Sequence, residues 1–209
     1  ADDTMVFTKS EMAANRVMKS ITDWIERKLF LKVNATKTKV VRPTRSKYLG
    51  FTFLNHGGEW KVKPTTEKKK KLKQKLSEYL KRNKAIARPL AVTIKRVNEI
   101  VRGWINYFRI GMMKTFMQEF GAWLRHKIRV IVIKQWKTPK TIYRNLCYLN
   151  QKNKNGFDHE AIYKVANSRL GWYRRSGMNV VNFIISPDLL ENKIKDGAGL
   201  LNPLNYYLR

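Results

Sequence analysis

Residues 47–80 read KYLGFTFLNHGGEWKVKPTTEKKKKLKQKLSEYL, and the change of pattern at Pro64 decides how the chain is organised. Before it, the aromatic-rich runs Lys47–Leu54 and Glu59–Lys63 flank Asn55-His56-Gly57-Gly58. Tight hairpin turns need positive φ, which glycine adopts without a steric penalty, so this stretch predicts a β-hairpin. After Pro64 the apolar spacing lengthens to three and four residues. Thr65 or Thr66 can cap a helix whose seam is Leu72, Leu76, Tyr79 and Leu80, with lysines covering the rest.

Toward the N-terminus, Thr4–Thr8 is a β-prone run with Met5 and Phe7 on one face and Val6 on the other. Ser10 can cap a helix carrying Ala14, Val17, Met18, Ile21, Trp24, Ile25 and Leu29 as its apolar stripe, and Lys37–Val41 reads as a strand. Residues 1–63 therefore predict strand, helix and a small antiparallel sheet. Toward the C-terminus, Arg88-Pro89 opens a helix with Ile94, Val97, Val101, Trp104, Ile105 and Phe108 on one face, and Gly111 suits its end. Thr115 and Gln118 form a capping-box pattern for a third helix bearing Phe116, Phe120, Trp123, Leu124, Ile128 and Ile131. Thr138-Pro139 starts a helix to about Leu149, followed by a polar linker at 151–156. Asp158 caps a helix through Ala166. Residues 167–177 read as a basic, aromatic loop, Ser186-Pro187 opens a helix ended by Gly197, and the tail from Leu200 is apolar enough to dock.

The chain has 209 residues and a net charge of +29, from 44 Lys and Arg against 15 Asp and Glu. A content of 43% hydrophobic and 11% aromatic residues excludes a disordered cationic tail, so the charge points to a folded partner for a polyanion. Binding of ribosomal or other structural RNA is the general form of that reading. A membrane surface is the other generic target. A bilayer span needs ~20 apolar residues, whereas the most apolar run, Ile128–Ile133, is interrupted by Arg129. Cys147 is the only cysteine, and His56, His126 and His159 are scattered, which excludes a disulfide framework and a Cys-rich zinc site. A reducing intracellular compartment is expected. With no initiator Met and no signal-like start, the chain is expected to begin mid-protein.

Four groups of residues carry chemistry. Asp2 and Asp3 are adjacent carboxylates before a β-prone run, the donor type that two-metal phosphoryl transfer requires, although a solvated terminus would look the same. Lys68, Lys69, Lys70, Lys71, Lys73 and Lys75 make one helix face strongly cationic, and mutual repulsion favours phosphate contact over a merely solvated face. Arg102, Asn106 and Arg109 can face RNA while Trp104 and Ile105 pack inward. Gly103, costly in mid-helix, predicts close approach of another helix or of a nucleic-acid backbone. In the 167–175 segment, Arg169, Arg174 and Arg175 alternate with Trp172 and Tyr173, a pattern that pairs with phosphates and stacks on unpaired bases. Ordinary core packing of these rings is the alternative.

The stretch from Ala1-Asp2-Asp3 through the Ser10 helix, LKVNATKTKVV at 31–41 and SKYLGFTF at 46–53 resembles consecutive palm motifs of reverse transcriptases. IVRGWINYF at 100–108 resembles the maturase-specific thumb, or domain X, of group II intron proteins, and NSRLGWYR at 167–174 their C-terminal region, where DNA-binding function begins. The resemblance implies an α+β fold with a partial palm (1–63), a helical thumb/maturase domain (64–137) and a small helical C-terminal region (138–209). It implies Asp2 and Asp3 as catalytic Mg²⁺ ligands, with Asp2 the stronger candidate, Asn34 and Lys37 as nucleic-acid contacts, and Tyr48, Leu49, Gly50 and Phe51 as the grip on the primer end.

The implied function is binding of structured group II intron RNA to support splicing and retromobility. The intact relative would also copy RNA into DNA, with a template–primer duplex and target DNA as partners. Fingers and the first palm aspartate are expected before Ala1, so the chain alone is not expected to polymerise, and no endonuclease-type cluster follows its C-terminal region. The expected compartment is the cytoplasm of a bacterial or archaeal cell, or an organelle. Competing readings are a non-catalytic RNA-binding module and a reverse transcriptase without maturase function; the IVRGWINYF segment speaks against the second.

Overall fold

The structure, a computed structural model, describes residues 4–192 and 199–209. Contacts group the chain into two units, Ala1–Thr65 and Thr66–Arg209.

In the first unit, α1 (Glu11–Lys28) begins where the Ser10 Oγ accepts from the Ala13 N–H at 3.2 Å. It stops as Phe30 turns left-handed at φ 53°. Its expected apolar stripe is not a core: no residue of α1 is buried, and Trp24 is 56% exposed. A 3₁₀ turn, Pro43–Arg45, leads into β1 (Lys47–Tyr48), β2 (Phe51–His56) and β3 (Glu59–Pro64), an antiparallel sheet in the order β1-β2-β3. Thr52 faces Lys47 on one side and Lys63 on the other, which fixes the register.

Both turns are two residues long with positive φ throughout, Leu49-Gly50 (49°, 85°) and Gly57-Gly58 (61°, 82°), matching the twist of the strands they join. The Lys47–Leu54 run is thus not one strand; it doubles back at Leu49-Gly50. The predicted strands at 4–8 and 37–41 are also absent. At 34–38 the Asn34 side chain intervenes: its Oδ1 accepts from the Thr36 and Lys37 N–H groups, and its carbonyl accepts from Lys37 and Thr38. Local side-chain bonding of this kind competes with a ladder. Near 4–8, Phe7 docks edge-on against Phe53 with ring centroids 5.2 Å apart, without strand pairing.

The second unit is helical among its described residues: α2 (Thr66–Tyr79), α3 (Arg82–Ala85), α4 (Leu90–Phe108), α5 (Lys114–Gln135), α6 (Pro139–Asn153), α7 (His159–Ala166), α8 (Trp172–Ser176), α9 (Asn179–Ile184), α10 (Pro187–Glu191) and α11 (Pro203–Leu208). The predicted seams are the core, with Leu72, Leu76, Leu80, Ile94, Val97, Val101, Ile105, Phe120, Leu124 and Ile128 all buried. α5 lies at its centre, packing on α3, α8 and α11, so residues 66–137 and 138–209 share one apolar interior.

The expected capping box at Thr115 does not form. α5 starts two residues earlier, with Met113 as its N-cap: this residue is buried at the entry and its carbonyl accepts from the Met117 N–H at 2.9 Å. Thr138, Asp158 and Ser186 cap their helices through side-chain oxygens as their types suggest. α6 overruns the predicted linker and ends on left-handed Lys154 at φ 51°. The basic loop at 167–177 contains α8, and α9 had no sequence signal assigned. Gly197 lies outside the described residues.

Two buried polar side chains tie distant segments. Asn98 of α4 donates to the Gly199 carbonyl and accepts from the Leu201 N–H, both at 2.8 Å. Arg129 of α5, 7% exposed, donates through Nε to the Ile185 carbonyl at 2.8 Å and through Nη2 to that of Asn182 at 3.3 Å. Burial lowers its pKa to about 10, so it stays a cation at neutral pH. It thereby caps the C-terminal end of α9 from within the core.

Candidate nucleic-acid interface

Of the residues predicted in the first unit, Asp2 and Asp3 lie outside the described residues. Asn34 spends its side-chain oxygen on its own turn, which leaves Lys37 exposed beside it. Tyr48 and Phe51 face each other across β1 and β2, and the turn between them puts Leu49 at an exposed tip. The tight turn therefore gathers the four predicted primer-grip residues into one hairpin corner.

In the second unit the lysine run divides. Lys69 and Lys73, one helical turn apart, sit with Nζ 5.0 and 5.7 Å from the Phe116 ring centroid and are half-buried over it. They cover an aromatic cluster in which Phe116 meets Trp104 and Phe120 at 5.6 and 5.7 Å. Lys68, Lys71 and Lys75 are exposed, at spacings that place them on one flank of α2, and Lys70 is exposed further round. Fifteen carboxylates cannot pair 44 cations, and the ion pairs among the described residues of this unit include the short-range surface contacts Arg96–Glu99 at 2.8 Å and Lys164–Glu160 at 2.6 Å. Such pairs contribute little and leave the surface strongly positive.

Arg102 and Asn106 of α4 and Arg109 at its C-cap are exposed, as expected. Asn106 is partly engaged, its Oδ1 accepting from the Tyr206 hydroxyl at 3.0 Å. A Cβ built at Gly103 meets nothing within 4 Å, so no helix of this unit needs the glycine there. The expected close helix contact is not made, and the surface beside Arg102 is open.

The C-terminal arginines separate. Arg169 and Arg174 are exposed, whereas Arg175 is buried: its Nη2 donates to the Ser168 carbonyl and its guanidinium lies 4.9 Å from the Trp172 ring. Burial also lowers its pKa. Arg175 therefore fastens the 168–175 segment and is not on the surface with Arg174. Sequence reading missed the α5 residues beneath α8. Lys134 Nζ lies 4.3 Å from the Trp172 ring, Lys127 Nζ 5.6 Å from that of Tyr173, and the His126 ring stacks on Tyr173 at 4.1 Å. With a separation of 47 residues between His126 and Tyr173, no local pattern could pair them.

The regions matched by known families align with this geometry. Residues 1–53 match the reverse transcriptase (RNA-dependent DNA polymerase) family, and residues 69–149 match the maturase-specific domain of group II introns. Together the two matches support a fragment of a group II intron reverse transcriptase/maturase. The first match ends inside β2, and the second runs from α2 into α6, taking in Lys71 and Lys75 of the lysine flank and the α4 face. No curated protein matches it. The reverse transcriptase family implies use of a divalent metal. Among the described residues no three His, Cys, Asp or Glu side chains gather to hold one. Among them, too, no helix is long and apolar enough to cross a membrane.

Proposed function

We propose that this chain binds structured group II intron RNA to support splicing and retromobility, with the exposed lysine flank of α2 and the α4 face as its principal contacts. The observation that carries the reading is the position of that surface. Lys71 and Lys75, with Arg102 and Arg109, lie exposed inside the region matching the maturase-specific domain, and the exposed Lys68 immediately precedes it. Lysine and arginine there meet phosphates, Asn106 can reach a ribose or base edge, and the gap at Gly103 admits a sugar–phosphate backbone close to the helix axis. Lys69 and Lys73 hold the aromatic cluster that keeps α2 in place and add to the potential.

Residues 64–137 are proposed as the thumb/maturase domain and 138–209 as the C-terminal region that adds Arg169 and Arg174 for RNA or target DNA. In the polymerase reaction of the family, Asp2 and Asp3 are the proposed Mg²⁺ ligands, and the hairpin corner at Tyr48–Phe51 the proposed seat of the primer end on a template–primer duplex, with Lys37 nearby along the chain. The lone cysteine suits a reducing compartment, bacterial or archaeal cytoplasm or an organelle. The test is competition: folded group II intron RNA against an equally structured, equally long control RNA near physiological salt. Tighter binding of intron RNA is expected; equal affinity for both would reduce the chain to a general RNA-binding module.

A further inference from the structure

α8 carries Trp172 and Tyr173 side by side, and α5 supplies what lies behind them. Tyr173 is 52% exposed although one face of its ring is already covered, by the His126 imidazole at 4.1 Å and an interplanar angle of 29°. His126 is itself held firmly. Its Nε2 is 3.0 Å from the Tyr173 carbonyl, and its ring fills the space over Gly177, where an added Cβ would lie 3.0 Å from Cε1. Lys127 reaches two rings, with Nζ 5.6 Å from Tyr173 and 5.8 Å from Trp123. Trp172, by contrast, is half-buried, with Lys134 and Arg175 at 4.3 and 4.9 Å from its ring. Trp172 is thus the fixed ring of the pair, and Tyr173 presents the open one.

An open aromatic face on a rigid backing, ringed by cations, is the arrangement that a single nucleobase fits. Every base has a π-face, and a phosphate on either side of it needs a positive partner. Paired bases inside a duplex cannot reach such a face, whereas unpaired bases can. α8 contains no acid and α5 contains only Glu119, so little opposes the approach of phosphate. We propose that Tyr173, held against His126, is a stacking platform for one unpaired base of a bound strand, with the Lys127 ammonium and the Arg174 guanidinium meeting the neighbouring phosphates. This rests on the nucleic-acid-binding reading above and adds that this part of the surface selects single strands.

The test compares Tyr173→Leu and Tyr173→Phe in the full chain. His126 bonds the backbone of residue 173, so neither substitution removes that tie. Affinities are measured for a mixed-sequence oligoribonucleotide, the oligodeoxyribonucleotide of the same sequence, and the corresponding duplexes. Leu is expected to weaken single-strand binding roughly tenfold, Phe to preserve it, and both to leave duplex binding unchanged. The ribo and deoxyribo arms tell which strand the platform serves. A second measurement uses the unsubstituted protein: a 5-iodouracil oligonucleotide is photocrosslinked and the adduct located by mass spectrometry, with the peptide containing Tyr173 expected to carry it. Equal loss for single strands and duplex, no loss with Leu, loss with Phe matching that with Leu, or adducts only elsewhere would each overturn the platform. If intron RNA is still preferred in those cases, the function proposed above stands. If Leu costs single-strand affinity while intron RNA is not preferred, the platform stands and that function falls.

Discussion

Replacing Lys68, Lys71 and Lys75 together with glutamine tests whether the α2 flank meets phosphates. Each lysine that neutralises one phosphate contributes about 0.7 to 0.9 to the slope of log affinity against log salt, so losing three should flatten it by roughly 2 to 3. The structure supplies its own control in the same helix. Lys69 and Lys73 lie over Phe116 at 5.0 and 5.7 Å, so their replacement by glutamine removes two cation–π contacts worth ~0.5–1 kcal/mol each at exposed sites. That pair should lower the unfolding free energy by about 1–2 kcal/mol and alter the slope by less than the triple variant does. The assay is fluorescence anisotropy of labelled intron RNA across about 0.1–0.5 M KCl, a range in which the Debye length shortens from about 10 Å to under 5 Å. An unchanged slope in the triple variant, or an equal drop in both variants, would refute the division of the lysines into a phosphate flank and a packing flank.

Three further outcomes are expected from the packing of the helical unit. Arg129→Met should destabilise the protein by about 2–4 kcal/mol in urea unfolding, because the carbonyls of Ile185 and Asn182 lose their buried donor; a neutral result would show that the apolar side chain compensates. Gly103→Ala should raise stability by up to about 1 kcal/mol, since its Cβ meets open space, while weakening RNA binding severalfold if a sugar–phosphate backbone approaches there. Higher stability with unchanged affinity would remove the α4 face from the interface. His126 has a pKa lowered from 6.5, chiefly by burial, with the Tyr173 carbonyl opposing and Arg129 and Lys127 reinforcing the shift. The folded state then binds fewer protons than the unfolded one below pH 6.5, so this contribution is complete above that pH and is lost as pH falls through the folded value. Melting temperatures of the native protein and His126→Gln should therefore converge on acidification, and parallel curves would exclude the linkage.

The hairpin and the helical seams were legible because each is a local signal. Two glycines between aromatic runs demand a primed turn, and Leu72, Leu76 and Leu80 share one face whatever surrounds them. The missed strands failed where local signals compete: Val40 and Val41 suggested extension, but Asn34 captured the preceding N–H groups. α8, with five residues, is too short to display a period. The sequence predicts one apolar face for α5, yet it is buried around much of its circumference, Arg129 included, because the distant α8 and α11 pack on it as well as α3. Adjacent arginines make the same point for the site. Arg174 and Arg175 are alike in sequence, and only the fold sends one outward and the other to the Ser168 carbonyl. Four consecutive lysines likewise look equivalent until Phe116 takes one flank.

The hold that Asn98 keeps on Gly199 and Leu201 bears on how deletion experiments in this protein are to be interpreted. A shortened chain ending near the close of the maturase-specific match would remove the groups that satisfy a buried amide on α4, together with the Tyr206 and Tyr207 hydroxyl contacts to Asn106 and Gly111. Such a chain would lose RNA affinity through a loosened α4, even if the tail never touches RNA. Borders drawn by truncation would then assign to the removed segment a recognition role that belongs to α4, upstream of the cut.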